Sequence, residues 1–251
     1  YLDPFLLLDH FGSDDPADYL KGFPWHPHRG IETVTYMLAG QVTHRDSIGN
    51  AGTIGAGDVQ WMTAGGGIRH EEMPKPVEGR MYGFQLWVNL PARLKMTQPR
   101  YQEIGAERIR EVRHEDGTCV RVIAGQVNGV QGPVTGIAAD PTYLDVTVPA
   151  GGRFEHAIPA GHTAFAYPFE GAAIFAPGAD ETPGPNLVVY EDGDRVAVRA
   201  GPDGVRFLLV SGQPLGEPIA RYGPFVMNTR AEIEQALRDL QNGTFVWRPK
   251  E

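Results

Sequence analysis

The chain has 251 residues and a formal net charge of −9, which argues against a nucleic-acid binder because such proteins need a cationic surface. Cys119 is the only cysteine, so an internal disulfide is excluded and a reducing, cytoplasmic location is expected. Its apolar runs, such as residues 5–8, are far too short to cross a bilayer, which argues against a membrane partner.

The first half of the chain is predicted to form a small β-barrel. Strands are indicated at residues 33–38, 57–62 and 82–90, which are rich in β-branched and aromatic side chains. Two motifs accompany them, Phe-Pro-Trp-His-Pro-His-Arg-Gly-Ile-Glu at residues 23–32 and Ala-Gly-Gly-Gly-Ile-Arg-His-Glu-Glu-Met-Pro at residues 64–74. The prolines in these motifs disfavour helix and favour extended backbone.

The two motifs carry a candidate metal site. Side chains at positions i and i+2 of an extended strand point to the same side, so His26 and His28 form one pair of ligands, and His70 and Glu72 form another. Three imidazoles and one carboxylate suit Fe, Mn, Ni, Cu or Zn, and the lack of a thiolate disfavours a structural zinc site. An octahedral ion would keep two positions for a bidentate oxygen donor, or for one oxygen donor plus O₂.

Three carboxylates near the motifs leave alternatives open. Glu71 competes with Glu72 as the ligand, but alternation places Glu72 on the side of His70 and Glu71 on the opposite side. Glu72, Glu71 and Glu32 are the candidates for a general base that takes a proton from a bound enol or phenol. Glu32 is also a candidate ligand or a partner of a ligand.

Other residues near the motifs are expected to have structural roles. Arg29 is interpreted as structural, orienting a carboxylate, and His10 is a candidate for lining the cavity rather than for binding the metal. Surface or loop positions are expected for His44, His114, His156 and His162, and core positions for Trp61, Met62, Phe84 and Trp87.

The second half of the chain is predicted to be a second barrel. Residues 91–117 are polar and are interpreted as a connection, and strands are indicated at residues 119–123, 143–148, 164–167, 187–190 and 205–210. A weak internal repeat aligns His156 with His26 and places Ile158 where the first copy has His28, so only the first barrel is predicted to hold a metal. Thr229 and Glu232 form a capping-box pattern that begins an amphipathic helix at about residues 230–241.

The sequence resembles the pirin family of two-barrel cupins over almost its whole length. The resemblance is carried by Leu-Asp-Pro-Phe-Leu-Leu near the start, His-Pro-His-Arg-Gly-Ile-Glu-Thr-Val, Gly-Asp-Val-Gln-Trp-Met-Thr-Ala-Gly, His-Glu-Glu-Met-Pro, Gln-Leu-Trp-Val-Asn-Leu, and Gly-Pro-Phe-Val-Met-Asn-Thr at residues 223–229. It implies an all-β fold of two cupin barrels (double-stranded β-helices, or jelly rolls) and a C-terminal amphipathic helix. We expect residues 1–105 to form a metal-binding barrel whose first strand segment is missing, and residues 106–251 to form a metal-free barrel.

The resemblance also implies a cofactor and two functions. The expected cofactor is one Fe(II) held by His26, His28, His70 and Glu72, with Mn, Ni, Cu, Zn and Co as alternatives. The first hypothesis is an enzyme of the quercetin 2,3-dioxygenase type, which opens the ring of a flavonol, a small aromatic enol, with O₂. The alternative is a non-catalytic, iron-dependent redox-sensing regulator that binds a protein partner, such as a transcription factor or a metabolic enzyme.

Overall fold

The chain folds into two compact units. The computed structural model describes residues 1–75 and 79–248. One unit comprises Tyr1–Ala106 together with Leu215–Glu251, and the other comprises Glu107–Pro214. Antiparallel β-strands dominate both units, so the predicted all-β class is confirmed. None of the described helices combines the length and the apolar character needed to cross a membrane.

The barrel of the first unit contains two antiparallel sheets. Its strands are β1 (Phe5–Ser13), β2 (Phe23–His28), β3 (Ile31–Ala39), β4 (Gln41–Asp46), β5 (Ala51–Gly55), β6 (Val59–Thr63), β7 (Ile68–Lys75), β8 (Met81–Asn89) and β9 (Arg100–Ile104), with a short helix α1 (Pro16–Tyr19) and a 3-10 turn at Ala92–Leu94. One sheet has the order β1-β8-β3-β6-β9, and the other has the order β2-β7-β4-β5. The strands predicted at residues 33–38, 57–62 and 82–90 are confirmed as β3, β6 and β8.

The interior of this barrel is partly polar. The Thr35 hydroxyl on β3 donates a hydrogen bond of 3.4 Å to Glu72 Oε1 on β7, which shows that these sides of the two sheets face each other. The side chains of opposite parity on β3, Val34 and Tyr36, are fully buried on the other face. Both strands that carry the histidine motifs, β2 and β7, belong to the second sheet.

The second unit is a barrel with an apolar interior. Its strands are β10 (Arg110–Arg113), β11 (Cys119–Ala124), β12 (Gln126–Val127), β13 (Val130–Gln131), β14 (Thr142–Val148), β15 (Arg153–Ala157), β16 (Thr163–Ile174), β17 (Thr182–Pro183), β18 (Val188–Val189) and β19 (Arg195–Gly212), preceded by a 3-10 turn at Ala106–Arg108. Phe154, Ile158, Phe207 and Leu209 belong to its main cluster of buried side chains. Ile158, which the internal repeat aligns with His28, is therefore part of an apolar core.

The C-terminal segment folds onto the first unit. It contains the hairpin β20 (Ala220–Tyr222) and β21 (Phe225–Met227), followed by helix α2 (Arg230–Gln241). The predicted capping box of α2 is confirmed, because the Thr229 hydroxyl accepts from the Glu232 backbone N–H and the Glu232 carboxylate accepts from the Thr229 N–H.

The position of α2 differs from the sequence-based division, which assigns residues 106–251 to the second barrel. In the structure Ile233 and Ala236 of α2 pack with Phe225, Met227 and Phe245, and residues from Leu215 onwards belong to the first unit. The amphipathic pattern of a helix requires an apolar partner surface, but it does not specify which surface in the chain provides it.

Candidate metal centre

The two histidine motifs form neighbouring strands. β2 and β7 pair antiparallel with His26 opposite His70. The imidazoles of His26, His28 and His70 meet on one face of this pair. Their ring centroids lie 4.9 Å apart for His26 and His28, 4.3 Å apart for His26 and His70, and 5.0 Å apart for His28 and His70. The structure therefore brings together the three histidines that the spacing predicted.

One ring nitrogen from each histidine lies within 4.8 Å of the other two. An ion that binds three nitrogens at about 2.1 Å with tetrahedral or octahedral angles requires those nitrogens to lie about 3.0–3.4 Å apart. Ring movements that bring the nitrogens closer together by up to about 1.8 Å would therefore complete a three-histidine coordination.

The hydrogen bonds of these histidines leave ring nitrogens available to coordinate a metal. His26 Nδ1 lies 2.9 Å from the Pro24 carbonyl oxygen, which can only accept, so Nδ1 carries the proton and Nε2 has a free lone pair. Both ring nitrogens of His70 are buried and have no hydrogen-bond partner among the described residues. A buried imidazole without partners costs free energy, and a coordinated cation would compensate that cost.

Burial also keeps His28 and His70 in the protonation state that can bind a metal. Desolvation, followed by the charge of His26, lowers the pKa of His28 from 6.5 to about 3. Desolvation, followed by the charges of His28, His26 and His44, lowers the pKa of His70 to about 2. Both imidazoles are therefore neutral at pH 7, as metal coordination requires.

Glu72 lies beside the histidines. It shares the inner face of β7 with His70, and its carboxylate accepts hydrogen bonds of 3.4 Å from Thr35 Oγ1 and from Gln85 Nε2. Burial raises the pKa of the Glu72 carboxyl, although the charge of His26 opposes this shift. Among the described residues, the group of donor atoms within 4.8 Å of one another comprises the three histidines without Glu72, so its role as a ligand stays a prediction.

The structure does not bring Glu71 or Glu32 to the histidines. Glu71 lies on the outer face of β7, where its carboxylate accepts a hydrogen bond from Arg45 Nε. Glu32 has the opposite parity to Thr35 on β3 and accepts a 2.6 Å hydrogen bond from the Thr63 hydroxyl. Because side chains alternate between the two faces of a strand, neither carboxylate is placed to take a proton from a molecule bound at the histidines.

His44 is a residue of this interior that the sequence analysis misses. Its predicted surface or loop position is wrong, because the side chain is 1% exposed and lies opposite Glu72 in the pairing of β4 with β7. Its Nε2 is 2.6 Å from Glu103 Oε1, and its ring stacks on Tyr101 with 5.6 Å between centroids. The alternation of side chains along β4 could have indicated that His44 is buried, since His44 shares a side of the strand with the buried Val42.

Trp87 and Gln85 on β8 line the site from the other sheet. Trp87 Nε1 donates a 3.0 Å hydrogen bond to Gln85 Oε1, which leaves the Gln85 amide to donate to Glu72. The indole of Trp87 lies in a T-shaped contact with the His28 ring, with 5.3 Å between centroids. Trp87, predicted to be a core residue, is buried and orients the amide that holds Glu72.

The other histidines lie away from this cluster. His10 pairs with Phe84 in register and stacks on it, with 4.5 Å between centroids, so it lies on the face of β8 opposite to the site and does not line the cavity. In the second unit, His156 is half-buried against Phe154, and the His162 side chain is 7% exposed. His162 lies in the loop between β15 and β16, which agrees with its predicted surface or loop position, whereas His156 lies on strand β15 and is only half-exposed.

Comparisons with known proteins agree with this architecture. A family model described as Pirin matches residues 1–88, and one described as Pirin C-terminal cupin domain matches residues 143–246. A pirin-like protein of Caulobacter vibrioides is 49% identical over 244 residues, covering 97% of this chain and 87% of the relative. A Pseudomonas aeruginosa protein named "Putative quercetin 2,3-dioxygenase" is 46% identical over 250 residues, covering 96% of this chain and 86% of the relative.

The fold is also shared with a solved structure. The crystal structure of a quercetin 2,3-dioxygenase from Acinetobacter baumannii superimposes with a TM-score of 0.89 at 40% identity, covering 97% of this chain and 86% of that protein. The predicted fold of two cupin barrels is thereby confirmed. With a three-histidine cluster inside its first barrel and relatives matched along almost its full length, the chain belongs to the pirin family of bicupins.

Proposed function

We propose that this protein is a metal-dependent dioxygenase that opens the ring of a flavonol such as quercetin. The observation that carries the proposal is the convergence of three imidazoles, of which those of His28 and His70 are buried, with His70 lacking any other partner among the described residues. The similarity to the Pseudomonas and Acinetobacter proteins, whose names state a quercetin 2,3-dioxygenase, supports the choice of reaction. Fe(II) is the proposed ion.

Some residues of the first barrel would bind the ion, and others would orient those ligands. His26, His28 and His70 would hold the ion as neutral ligands, and Glu72 would add a carboxylate. The bound ion supplies the Lewis acidity that favours the anion of the flavonol 3-hydroxyl and the reaction of that anion with O₂. Thr35 and Gln85 orient the Glu72 carboxylate through their hydrogen bonds, as partners of metal ligands commonly do.

The side chains around the three histidines suit an aromatic substrate. Trp87 presents an apolar ring next to His28, and the side chains of Thr35, Gln85 and His44 add hydrogen-bonding groups on the same interior surface. A flat, hydroxylated molecule has the apolar area and the polar edge that would match these side chains.

The test combines metal analysis with an oxygen-electrode assay. Purified protein loaded anaerobically with Fe(II) is expected to hold about one ion per chain and to consume O₂ with quercetin, releasing carbon monoxide. His70→Ala is expected to lose both the ion and the turnover, because it removes one of three imidazoles. His10→Gln, a histidine of the same barrel on the opposite face, is the matched control and is expected to keep both. Turnover in His70→Ala equal to that of the parent would contradict the proposal.

A second candidate function is a metal-dependent regulator. Phe23 and Trp25 on the ligand-bearing strand β2 are 47% and 40% exposed, and exposed aromatic side chains are enriched in protein interfaces. In this role, a change in the oxidation state of the ion would alter the charge beside β2 and so the affinity for a protein partner. Partner capture is expected to differ between ferrous and ferric protein and to weaken in Trp25→Ser; identical capture in both oxidation states would count against this role.

A further inference from the structure

The C-terminal segment forms backbone hydrogen bonds with Arg29, the residue that directly follows His28. Arg29 forms a parallel β-bridge with Phe225. The Val226 N–H donates to the Arg29 carbonyl at 3.1 Å, and the Arg29 N–H donates to the Pro224 carbonyl at 3.5 Å. The loop that directly follows a predicted metal ligand is thus held by hydrogen bonds to the C-terminal segment.

The Arg29 side chain connects the same loop to helix α2 through an ion pair. Arg29 is 3% exposed. Its Nη1 donates a 2.6 Å hydrogen bond to Asp239 Oδ2, and its Nη2 donates a 3.0 Å hydrogen bond to the Phe245 carbonyl. The guanidinium also lies 4.4 Å from the centroid of the Phe245 ring. A buried guanidinium with a carboxylate, a carbonyl and an aromatic face as partners has little freedom to move.

A buried lysine, Lys95, hydrogen-bonds both to the loop after His28 and to the C-terminal hairpin. Lys95 is 1% exposed, and its ammonium donates to the carbonyls of Gly30 at 3.0 Å and Val226 at 2.9 Å, and to Asn89 Oδ1 at 2.8 Å. Gly30 has φ +79°, and a Cβ there would lie 2.0 Å from the Val226 carbonyl oxygen. The backbones of the loop and the hairpin are therefore in direct contact, with no room for a side chain.

We propose that Arg29 and Asp239 are positioning residues for the metal centre: their ion pair, together with Lys95, fixes the backbone after His28 and so sets the affinity of the first barrel for its ion. The inference rests on the metal site proposed above. His28 is the last residue of β2, so the direction of its imidazole depends on the backbone that leaves the strand, and that backbone is held by the C-terminal segment.

The ion pair of Arg29 and Asp239 is suited to this role because the loss of either side chain would disturb the backbone after His28. The Arg29 side chain is 4% exposed and the Asp239 side chain is 21% exposed, so the guanidinium is the buried partner of the pair. Removing Asp239 would leave this buried charge without its carboxylate, and the backbone after His28 would relax as the guanidinium finds new partners. The distance between His28 and the other two imidazoles would then no longer be fixed.

The test uses Co(II) as the probe, because its visible spectrum reports ligand geometry independently of catalysis. Asp239→Asn keeps the shape of the side chain and removes the charge. Glu234→Gln on the same helix is the matched control, since Glu234 pairs only at the surface with the 92% exposed Arg230. Asp239→Asn is expected to bind Co(II) on the order of tenfold more weakly and to show an altered spectrum, whereas Glu234→Gln is expected to match the parent in both.

The Arg29→Lys variant and Co(II) binding by the parent protein distinguish failure of the positioning role from failure of the proposed metal site. Arg29→Lys, which keeps the charge but loses the second donor to Phe245, is expected to show the same spectral change with a smaller loss of affinity, and it replaces Asp239→Asn if that variant does not fold. Parent-like affinity and spectrum in a folded Asp239→Asn or Arg29→Lys variant would overturn the positioning role. A parent protein that fails to bind Co(II) would instead contradict the proposed metal site itself.

Discussion

Lys95 makes the stability of the first unit depend on pH in a predictable direction. Desolvation lowers the pKa of this ammonium from 10.5 to about 8 in the folded protein, although the charges of Glu217 and Glu232 oppose the shift. Between these two pKa values the unfolded chain binds a proton that the folded chain has released, so the free energy of unfolding rises with pH. Each pKa unit corresponds to about 1.4 kcal/mol, and between pH 7 and pH 10 the expected gain from Lys95 is about 2.5 kcal/mol.

The assay is urea unfolding of the metal-free protein at several pH values between those limits. Other groups titrate in this range, so the quantity of interest is the difference between the parent and Lys95→Met, which lacks the titrating group. The parent is expected to gain about 2.5 kcal/mol relative to Lys95→Met as the pH rises from 7 to 10. A difference that stays constant with pH, or that falls, would refute the reasoning from burial.

Three other substitutions test parts of the fold separately. Gly30→Ala is expected to lower the melting temperature and the metal content together, because its Cβ would meet the Val226 carbonyl oxygen and its φ is positive; a calorimetric scan and metal analysis measure both. Thr229→Ala is expected to cost about 1 kcal/mol of unfolding free energy by removing the helix cap, and faster hydrogen exchange confined to α2 would identify the cause. Phe207→Ala is expected to destabilise the second unit by about 3–5 kcal/mol, since the ring is fully buried in its core, while the Co(II) affinity of the folded protein stays at the parent value.

Local pattern was sufficient to predict which residues of the two motifs share one side of a strand. The i, i+2 spacing of His26 and His28 and of His70 and Glu72 depends only on extended backbone, which the prolines favour, and the structure shows both segments as strands. The same alternation correctly placed Glu71 on the opposite side from Glu72, where it meets Arg45. These features follow from the geometry of one strand, so one sequence was enough to find them.

Features that depend on the pairing of strands could not be predicted in the same way. His44 enters the site because β4 pairs with β7 in a register that sets it opposite Glu72, and nothing near His44 in the sequence specifies that register. The sequence alone likewise could not identify Asp239 as the partner of Arg29, since the two are separated by 210 residues. The amphipathic face of α2 was visible, but the surface that it covers is a property of the folded chain.

One metal ion is proposed to lie between His26, His28 and His70. The most direct measurement is anomalous diffraction at the iron absorption edge from crystals of the Fe(II)-loaded protein. We expect a single strong peak in the first barrel, about 2.1 Å from one ring nitrogen of each histidine, with the Glu72 carboxylate turned toward it. A metal-loaded crystal with no peak at the three histidines, or with its peak elsewhere in the chain, would contradict the account.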